Sequence, residues 1–221
     1  MTTAAKLLAD AEALLLDFDG PLARLMPTPV NARAADAARE VIGQLDLPPA
    51  IATTTDHLAV LRHVLEHHPE QVAEVEEACT RAEVAAARTC APSVHATNLF
   101  ELISRRRMPA AVVSNNSDQA VIAFLERHGW TRHVAVLSCR RPDDVGRLKP
   151  DPFLVQQALR SLRVDPGEAL FLGDTTSDVR AGAAAGVGVL AFAKDEHLRS
   201  ELTRAGAAAV TSLGDPRGLE A

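Results

Sequence analysis

The stretch Leu14-Leu15-Leu16-Asp17-Phe18-Asp19-Gly20-Pro21-Leu22 constrains this chain more than any other. Its apolar run has the length of a strand and does not alternate, which is the pattern of a strand buried on both faces. A Gly-Pro pair then breaks it. Two carboxylates at the carboxyl end of a buried strand are awkward to place without a cation, and in open α/β sheets that end is where ligands bind. Taken alone, the nine residues fit equally well a strand that runs into an acidic, solvated turn.

The rest of the chain decides the fold class. Residues 1–11 read as a short polar helix and 12–18 as the first strand. After Pro21 a passage with Pro27 and Pro29 could act as a stiff connector. From 31 to about 90 the texture is helical only. Residues 31–45 are Ala-rich, residues 56–68 place Leu58, Leu61 and Leu65 on one face, and Pro69 ends that helix. Residues 70–88 carry Val72, Val75 and Cys79 on one face and acids on the other. This block of about sixty residues is roughly half a typical domain. Beyond it, helices expected at 98–107, 117–128, 151–162, 177–185 and 196–205 alternate with strands at 110–113, 134–137, 169–172, 187–191 and 208–210. Such alternation predicts an α/β fold, a doubly wound parallel sheet with a Rossmann-like core. The core takes residues 1–23 and 94–221, and the helical insert takes 24–93.

Composition excludes several function classes. The chain has 221 residues, enough for one domain with an insert, and 47% of them are hydrophobic. The net charge of −6 argues against general nucleic-acid binding. Aromatics amount to 3% with no Tyr, so base-stacking platforms are not expected. No apolar run approaches bilayer length, and the first ten residues lack the apolar core of a signal peptide. Cys79, Cys90 and Cys139 are odd in number and widely spaced, which suits buried thiols and a cytoplasmic location. All the basic residues are Arg except Lys6, Lys149 and Lys194, so a Lys placed in a loop invites a chemical reason.

Polar groups fall at successive strand ends: Asp17 and Asp19, then Ser114 and Asn115, then Asp174 with Asp178 four residues on. Lys149 precedes a helix and can reach the same rim. Each has a bland alternative. Asp178 suits a helix start as a dipole complement. Ser114-Asn115-Asn116 suits a loop that caps the next helix, with Gln119 at its third position. Lys149 before Pro150 suits solvent. These alternatives leave the shared rim unexplained.

In these segments the chain resembles the haloacid dehalogenase superfamily, in its phosphatase branch. Asp17-Phe18-Asp19-Gly20-Pro21-Leu22 is similar to the first motif of that family, Val113-Ser114-Asn115 to the second and Lys149-Pro150-Asp151-Pro152 to the third. Gly173-Asp174-Thr175-Thr176-Ser177-Asp178 is similar to the fourth, and Ala181 to Gly186 to the small-residue helix that follows it. The resemblance covers nearly the whole chain, and the insert lies where the family places a helical cap.

The resemblance implies a phosphomonoester hydrolase of a small phosphorylated metabolite. Asp17 is the implied nucleophile, forming an aspartyl-phosphate, and Asp19 the implied acid and base. Mg²⁺ is implied at Asp17, Asp174 and the Asp19 carbonyl, a hard oxygen set, with Asp178 behind it. Phe18, Asp19, Ser114, Asn115 and Lys149 are the implied phosphate-binding residues. Pro21 departs from the Thr or Val usual at its position and is read as a stiffened hinge toward the cap. Arg24, Arg33, His57, Arg62 and His63 are candidates to face the site from the cap. His63 and His67 stand four residues apart, a spacing read as a solvated helix face rather than a metal pair. No membrane or nucleic-acid partner is expected, and the chain is expected as a monomer or homodimer. Two other readings stay open: a phosphosugar mutase of the β-phosphoglucomutase kind, and a non-catalytic binding module that kept the fold.

Overall fold

The computed structural model describes residues 3–43 and 47–214. The chain opens with α1 (Thr3–Asp10) and β1 (Ala13–Leu16), then runs through α2 (Val30–Ile42), α3 (Pro49–Ala52), α4 (His57–His67), α5 (Val72–Ala87) and α6 (Ala96–Arg106). There follow β2 (Ala110–Ser117), α7 (Asp118–His128), β3 (Val136–Arg140), α8 (Phe153–Leu162) and β4 (Ala169–Gly173). The last elements are α9 (Thr176–Ala184), β5 (Gly188–Ala193), α10 (Glu196–Ala205) and β6 (Ala209–Ser212).

The six strands form one sheet in the order β3-β2-β1-β4-β5-β6, and every pairing is parallel. The apolar run that opened the sequence is its centre. Leu14 and Leu16 enter a core with α1, α6 and α7, while Ala13 and Leu15 enter another with α8, α9 and α10. β1 is therefore buried on both faces, as its unbroken hydrophobicity predicts. The chain builds outward from β1 through β2 and β3, then crosses back to place β4 on the other side. That reversal is the topological switch point, and a crevice opens at the carboxyl ends of the strands beside it.

Helix ends follow local chemistry. Asp56 accepts the Leu58 N–H to cap α4 (2.9 Å), and Asp195 accepts the Leu198 N–H to cap α10 (2.8 Å). α6 ends in a run of arginines, and Arg106 donates to the carbonyls of Leu8, Ala9 and Ala11 at the end of α1. Three expectations shift. β2 runs on to Ser117, whose hydroxyl caps α7 from Ala120 N–H, so Ser114-Asn115-Asn116 is not the cap. β3 spans Val136–Arg140 rather than 134–137, because Ser138 and Arg140 find polar partners inside the protein. The helix expected at 31–45 is α2, and its predicted last residue, Leu45, lies outside the described residues.

Between β1 and α6 the chain is helical. Ala38, Ile42, Val60, Leu61, Val64, Val75 and Cys79 from α2, α4 and α5 make a small core of their own with Val145. The chain's exit toward these helices and its return run side by side. Arg24 N–H donates to Ala91 O (3.0 Å), Ser93 N–H to Leu22 O (2.9 Å) and Ser93 Oγ to Pro21 O (2.5 Å). Pro21 thus contributes a carbonyl to this junction, and needs no N–H there. No described helix is long and apolar enough to cross a membrane.

Candidate active site

The register of the sheet sets the level of the site. Leu16 lies beside Val112 of β2 and Leu172 of β4, so Asp17, Val113-Ser114 and Gly173-Asp174 emerge from neighbouring strands at one rim. They line an open cleft of about 870 Å³ together with Asp19, Gly20, Lys149 and Asp178.

Lys149 organises the floor. Its Nζ lies 2.7 Å from Asp17 Oδ1, 2.7 Å from Asp178 Oδ1 and 3.0 Å from the Val113 carbonyl, one acceptor for each N–H. Burial disfavours the ammonium, but the two carboxylates outweigh it and raise the pKa above the ordinary lysine value. The loop lysine that stood out in an Arg-rich chain is thus a buried charge. Its backbone is pinned as well: the Asn115 side chain accepts Lys149 N–H (2.8 Å) and donates to Lys149 O (3.0 Å).

Asp178 takes the helix-start role read from the sequence and also meets Lys149. It stands in the first turn of α9, where its Oδ2 accepts N–H bonds from Asp174 (3.1 Å) and Thr175 (2.9 Å) in a capping box. Its other oxygen faces Lys149. Close packing makes this possible, since a Cβ on Gly173 would overlap the Asp178 side chain. Gly20 has a similar role. Its φ is +109°, and a Cβ there would fall on the Asp174 carboxylate.

The acids repel one another. Burial, then Asp178, push the Asp17 carboxyl up to about 7, against the pull of Lys149. Burial, then Asp17, Asp178 and Asp19, raise Asp174 well above the carboxylate range. Asp17, Asp174 and Asp178 each offer an oxygen within 4.8 Å of the others, and no other such grouping exists among the described residues. Asp174 Oδ1 is buried with no hydrogen-bond partner. A buried carboxylate oxygen without a donor, among oxygens crowded by like charge, fits a hard divalent cation.

Asp19 lies beyond Asp17 on the same rim. Its Oδ1 accepts the Leu25 N–H (2.8 Å), and burial raises its pKa despite that bond. Phe18 N–H is engaged by Asp17 Oδ1 (2.8 Å), and the Phe18 ring packs edge-on against Phe124. Ser114 is buried, its hydroxyl bonded to Asn116 (3.2 Å). All the sequence-derived site residues except Phe18 line the cleft. Of the residues proposed to face it from the insert, Arg24, His57 and Arg62 line it, whereas Arg33 and His63 do not. The His63 and His67 rings stack on each other at 4.3 Å. The three thiols are free and buried, and burial pushes them up to about 12, 11 and 12 for Cys79, Cys90 and Cys139.

Behind the cleft the structure departs from the sequence expectation. The acids of 70–88 were expected on the solvent side of their helix, but Glu76 and Glu83 are buried. Glu83 Oε1 is 2.7 Å from Arg140 Nη1 and 2.8 Å from His57 Nε2. The signal was the spacing of Glu76, Thr80 and Glu83, which puts them beside Val75, Cys79, Ala86 and Ala87 on one buried stripe.

Known phosphatases are similar to this chain in sequence, and a solved structure is similar in fold. An N-acetylmuramic acid 6-phosphate phosphatase of Pseudomonas aeruginosa is 34% identical over 40% of this chain, an alignment spanning only 38% of that relative. A phosphoglycolate phosphatase of Rhodospirillum rubrum is 27% identical over 94% of this chain and 91% of its own length. Among solved structures, CbbY of Rhodobacter sphaeroides in complex with xylulose-(1,5)bisphosphate superposes with a TM-score of 0.73 at 25% identity, covering 96% of this chain and all of that one. Residues 14–192 match the sequence pattern of haloacid dehalogenase-like hydrolases. That match takes in the ends of β1, β2 and β4, where Asp17, Ser114 and Asp174 stand, and the chain belongs to this family.

Proposed function

We propose that this protein is a magnesium-dependent phosphomonoester hydrolase of a small phosphorylated metabolite, working through an aspartyl-phosphate on Asp17. The observation that carries this reading is the contact of Lys149 with Asp17 at 2.7 Å, at a strand end where Asp19 and Asp174 converge. Lys149 holds one Asp17 oxygen and leaves the other for in-line attack on phosphorus. Asp19, whose raised pKa favours the protonated acid, gives its proton to the departing alkoxide from the oxygen that Leu25 does not hold. The resulting carboxylate then takes a proton from water, which attacks the aspartyl-phosphate and frees Asp17 and inorganic phosphate. Ser114, Asn115 and the Asp19 backbone would hold the equatorial oxygens, with Lys149 neutralising charge, whereas the Phe18 N–H is already taken by Asp17 Oδ1. Magnesium would be held by the Asp17 and Asp174 carboxylates and the Asp19 carbonyl, and would offset the repulsion among the acids.

We assign residues 24–93 as a cap over residues 1–23 and 94–221, since α4 brings His57 and Arg62 to the cleft and the segment before α2 brings Arg24. Phosphoglycolate and xylulose-(1,5)bisphosphate, named for relatives, are the first substrates to screen, with phosphate release measured with and without magnesium. Asp17→Asn removes the nucleophile, and turnover is expected to fall to background. A variant that hydrolyses a chromogenic phosphate ester as fast as wild type would refute the mechanism.

A further inference from the structure

The interior between α5 and the end of β3 holds charges that the hydrolytic scheme does not use. Arg140 is fully buried and spends its whole guanidinium. Nε donates to Glu76 (3.1 Å), Nη1 to Glu83 Oε1 (2.7 Å) and Asn115 O (2.8 Å), and Nη2 to Glu83 Oε2 (3.0 Å) and Thr80 Oγ1 (3.1 Å). Glu83 is buried just as completely. Beyond Arg140 it accepts Ser117 N–H (2.7 Å) and Asn116 Nδ2 (3.2 Å), and it meets His57 Nε2 at 2.8 Å. Burial works against the carboxylate, but Arg140 and His57 overcome it and hold its pKa far below the ordinary value.

The recipients of these bonds are specific. Asn115 O, Asn116 and Ser117 belong to the segment at the end of β2 that begins with Ser114, and His57 lines the cleft. The donors and acceptors come from α5, outside the sheet, and from the last residue of β3. Buried ion pairs are a poor device for stability, since well-packed apolar side chains do as well or better. A carboxylate and a guanidinium that between them hold three consecutive residues at the end of β2 do what apolar packing cannot: they fix the direction of backbone groups.

We propose that Glu83 and Arg140 are positioning residues for the phosphate-holding segment Ser114–Asn115 and for His57, which makes α5 a fixed part of the site's frame. The inference rests on the reading of Ser114 and Asn115 as phosphate ligands. In Glu83→Gln the isosteric amide leaves the Arg140–Glu76 pair in place but sets an NH₂ against the Ser117 N–H or Arg140. Arg140→Lys keeps the charge and loses the fork that reaches Asn115 O.

The test measures kcat and KM for a chromogenic phosphate ester, and the inhibition constant of inorganic phosphate, well below the melting temperature of each variant. Loss of one charge-assisted bond at the loop is expected to raise the phosphate inhibition constant about tenfold or more and to lower kcat. A folded variant whose constants stay within about twofold of wild type, whatever its melting temperature, assigns the pair a stabilising role only and overturns the proposal. Where a variant does not fold, hydrogen exchange of the wild-type protein decides. Inorganic phosphate should increase amide protection at residues 76–83 along with 114–117, and protection confined to the strand ends overturns the proposal. Wild-type protein that releases no phosphate from any ester removes the phosphatase reading and this inference together. Wild type that turns over while both variants match it removes this inference alone.

Discussion

Magnesium should stabilise this protein in a pH-dependent way. Without the cation, burial and Asp178 push the Asp17 carboxyl from 3.8 to about 7. The folded protein then holds a proton that the unfolded chain releases. This group's contribution to stability is fully present below the unfolded pKa and is lost as the pH rises toward about 7. A metal ion that needs the carboxylate competes with that proton, so its apparent affinity falls about tenfold per pH unit below the folded pKa. Between pH 8 and pH 5.5 a single displaced proton weakens binding about thirty-fold. At a magnesium concentration about one hundred times Kd at pH 8, stabilisation is about 2.7 kcal/mol, and the same concentration at pH 5.5 leaves about 0.9 kcal/mol. For a chain of this length these figures correspond to Tm increases of about 5–10 °C and about 2–4 °C. Asp174, raised in the same direction, steepens the dependence further. Thermal melts across a magnesium series at both pH values, at constant ionic strength, read the difference directly. An equal shift at both pH values, or none at either, would refute the account of the acid cluster as a cation site that competes with protons.

Two substitutions test the packing on which that cluster depends. Gly20→Ala sets a methyl on the Asp174 carboxylate at a φ of +109°; backbone strain of about 1–2 kcal/mol should lower Tm. The displaced carboxylate should weaken magnesium stabilisation in the same melts, and an unchanged magnesium response would show that the site tolerates the methyl. Lys149→Arg keeps the charge, but its bulkier fork must fit where Asp17, Asp178 and Val113 O surround a buried ammonium. Steady-state kinetics should show at least a hundredfold loss of kcat, roughly 3 kcal/mol of transition-state stabilisation. Wild-type turnover would mean that Lys149 acts only as a diffuse positive charge.

Much of the site was legible because its chemistry is local. Asp17 and Asp19 follow directly on β1, and Asp174 and Asp178 are joined through one capping box at the start of α9. A strand buried on both faces and a helix start each leave a mark within a few residues. The parallel register then brings the marks to one level, as the pairing of Leu16 with both Val112 and Leu172 does. Where polar residues continue a strand, the mark is lost. β3 was expected to stop at 137, yet Ser138 is inside it because its hydroxyl reaches the Leu154 carbonyl (2.7 Å), and Arg140 because the acids of α5 receive it.

Those acids show why the support behind Asn115 to Ser117 was not legible. Helical periodicity assigns a face by residue type and takes Glu as a sign of water, because an unpaired carboxylate in the interior is too costly to keep. On α5 the stripe of Val75, Cys79, Ala86 and Ala87 continues through Glu76, Thr80 and Glu83, and the rule inverts. It inverts only because Arg140 lies across from them, 57 residues further along than Glu83, at the end of a strand with no helical pattern of its own. Neither segment names its partner at that separation: α5 shows only that its acids fall on the apolar stripe, and Arg140 alone reads as ordinary surface charge. The second acceptor on Glu83 brings the consequence back to the site. Ser117, 34 residues away, takes its place through the same carboxylate that neutralises Arg140. The Asp17 side of the cleft is thus written in neighbouring residues, while Asn115, Asn116 and Ser117 on the other side are held by a long-range charge pair that appears only once the chain is folded.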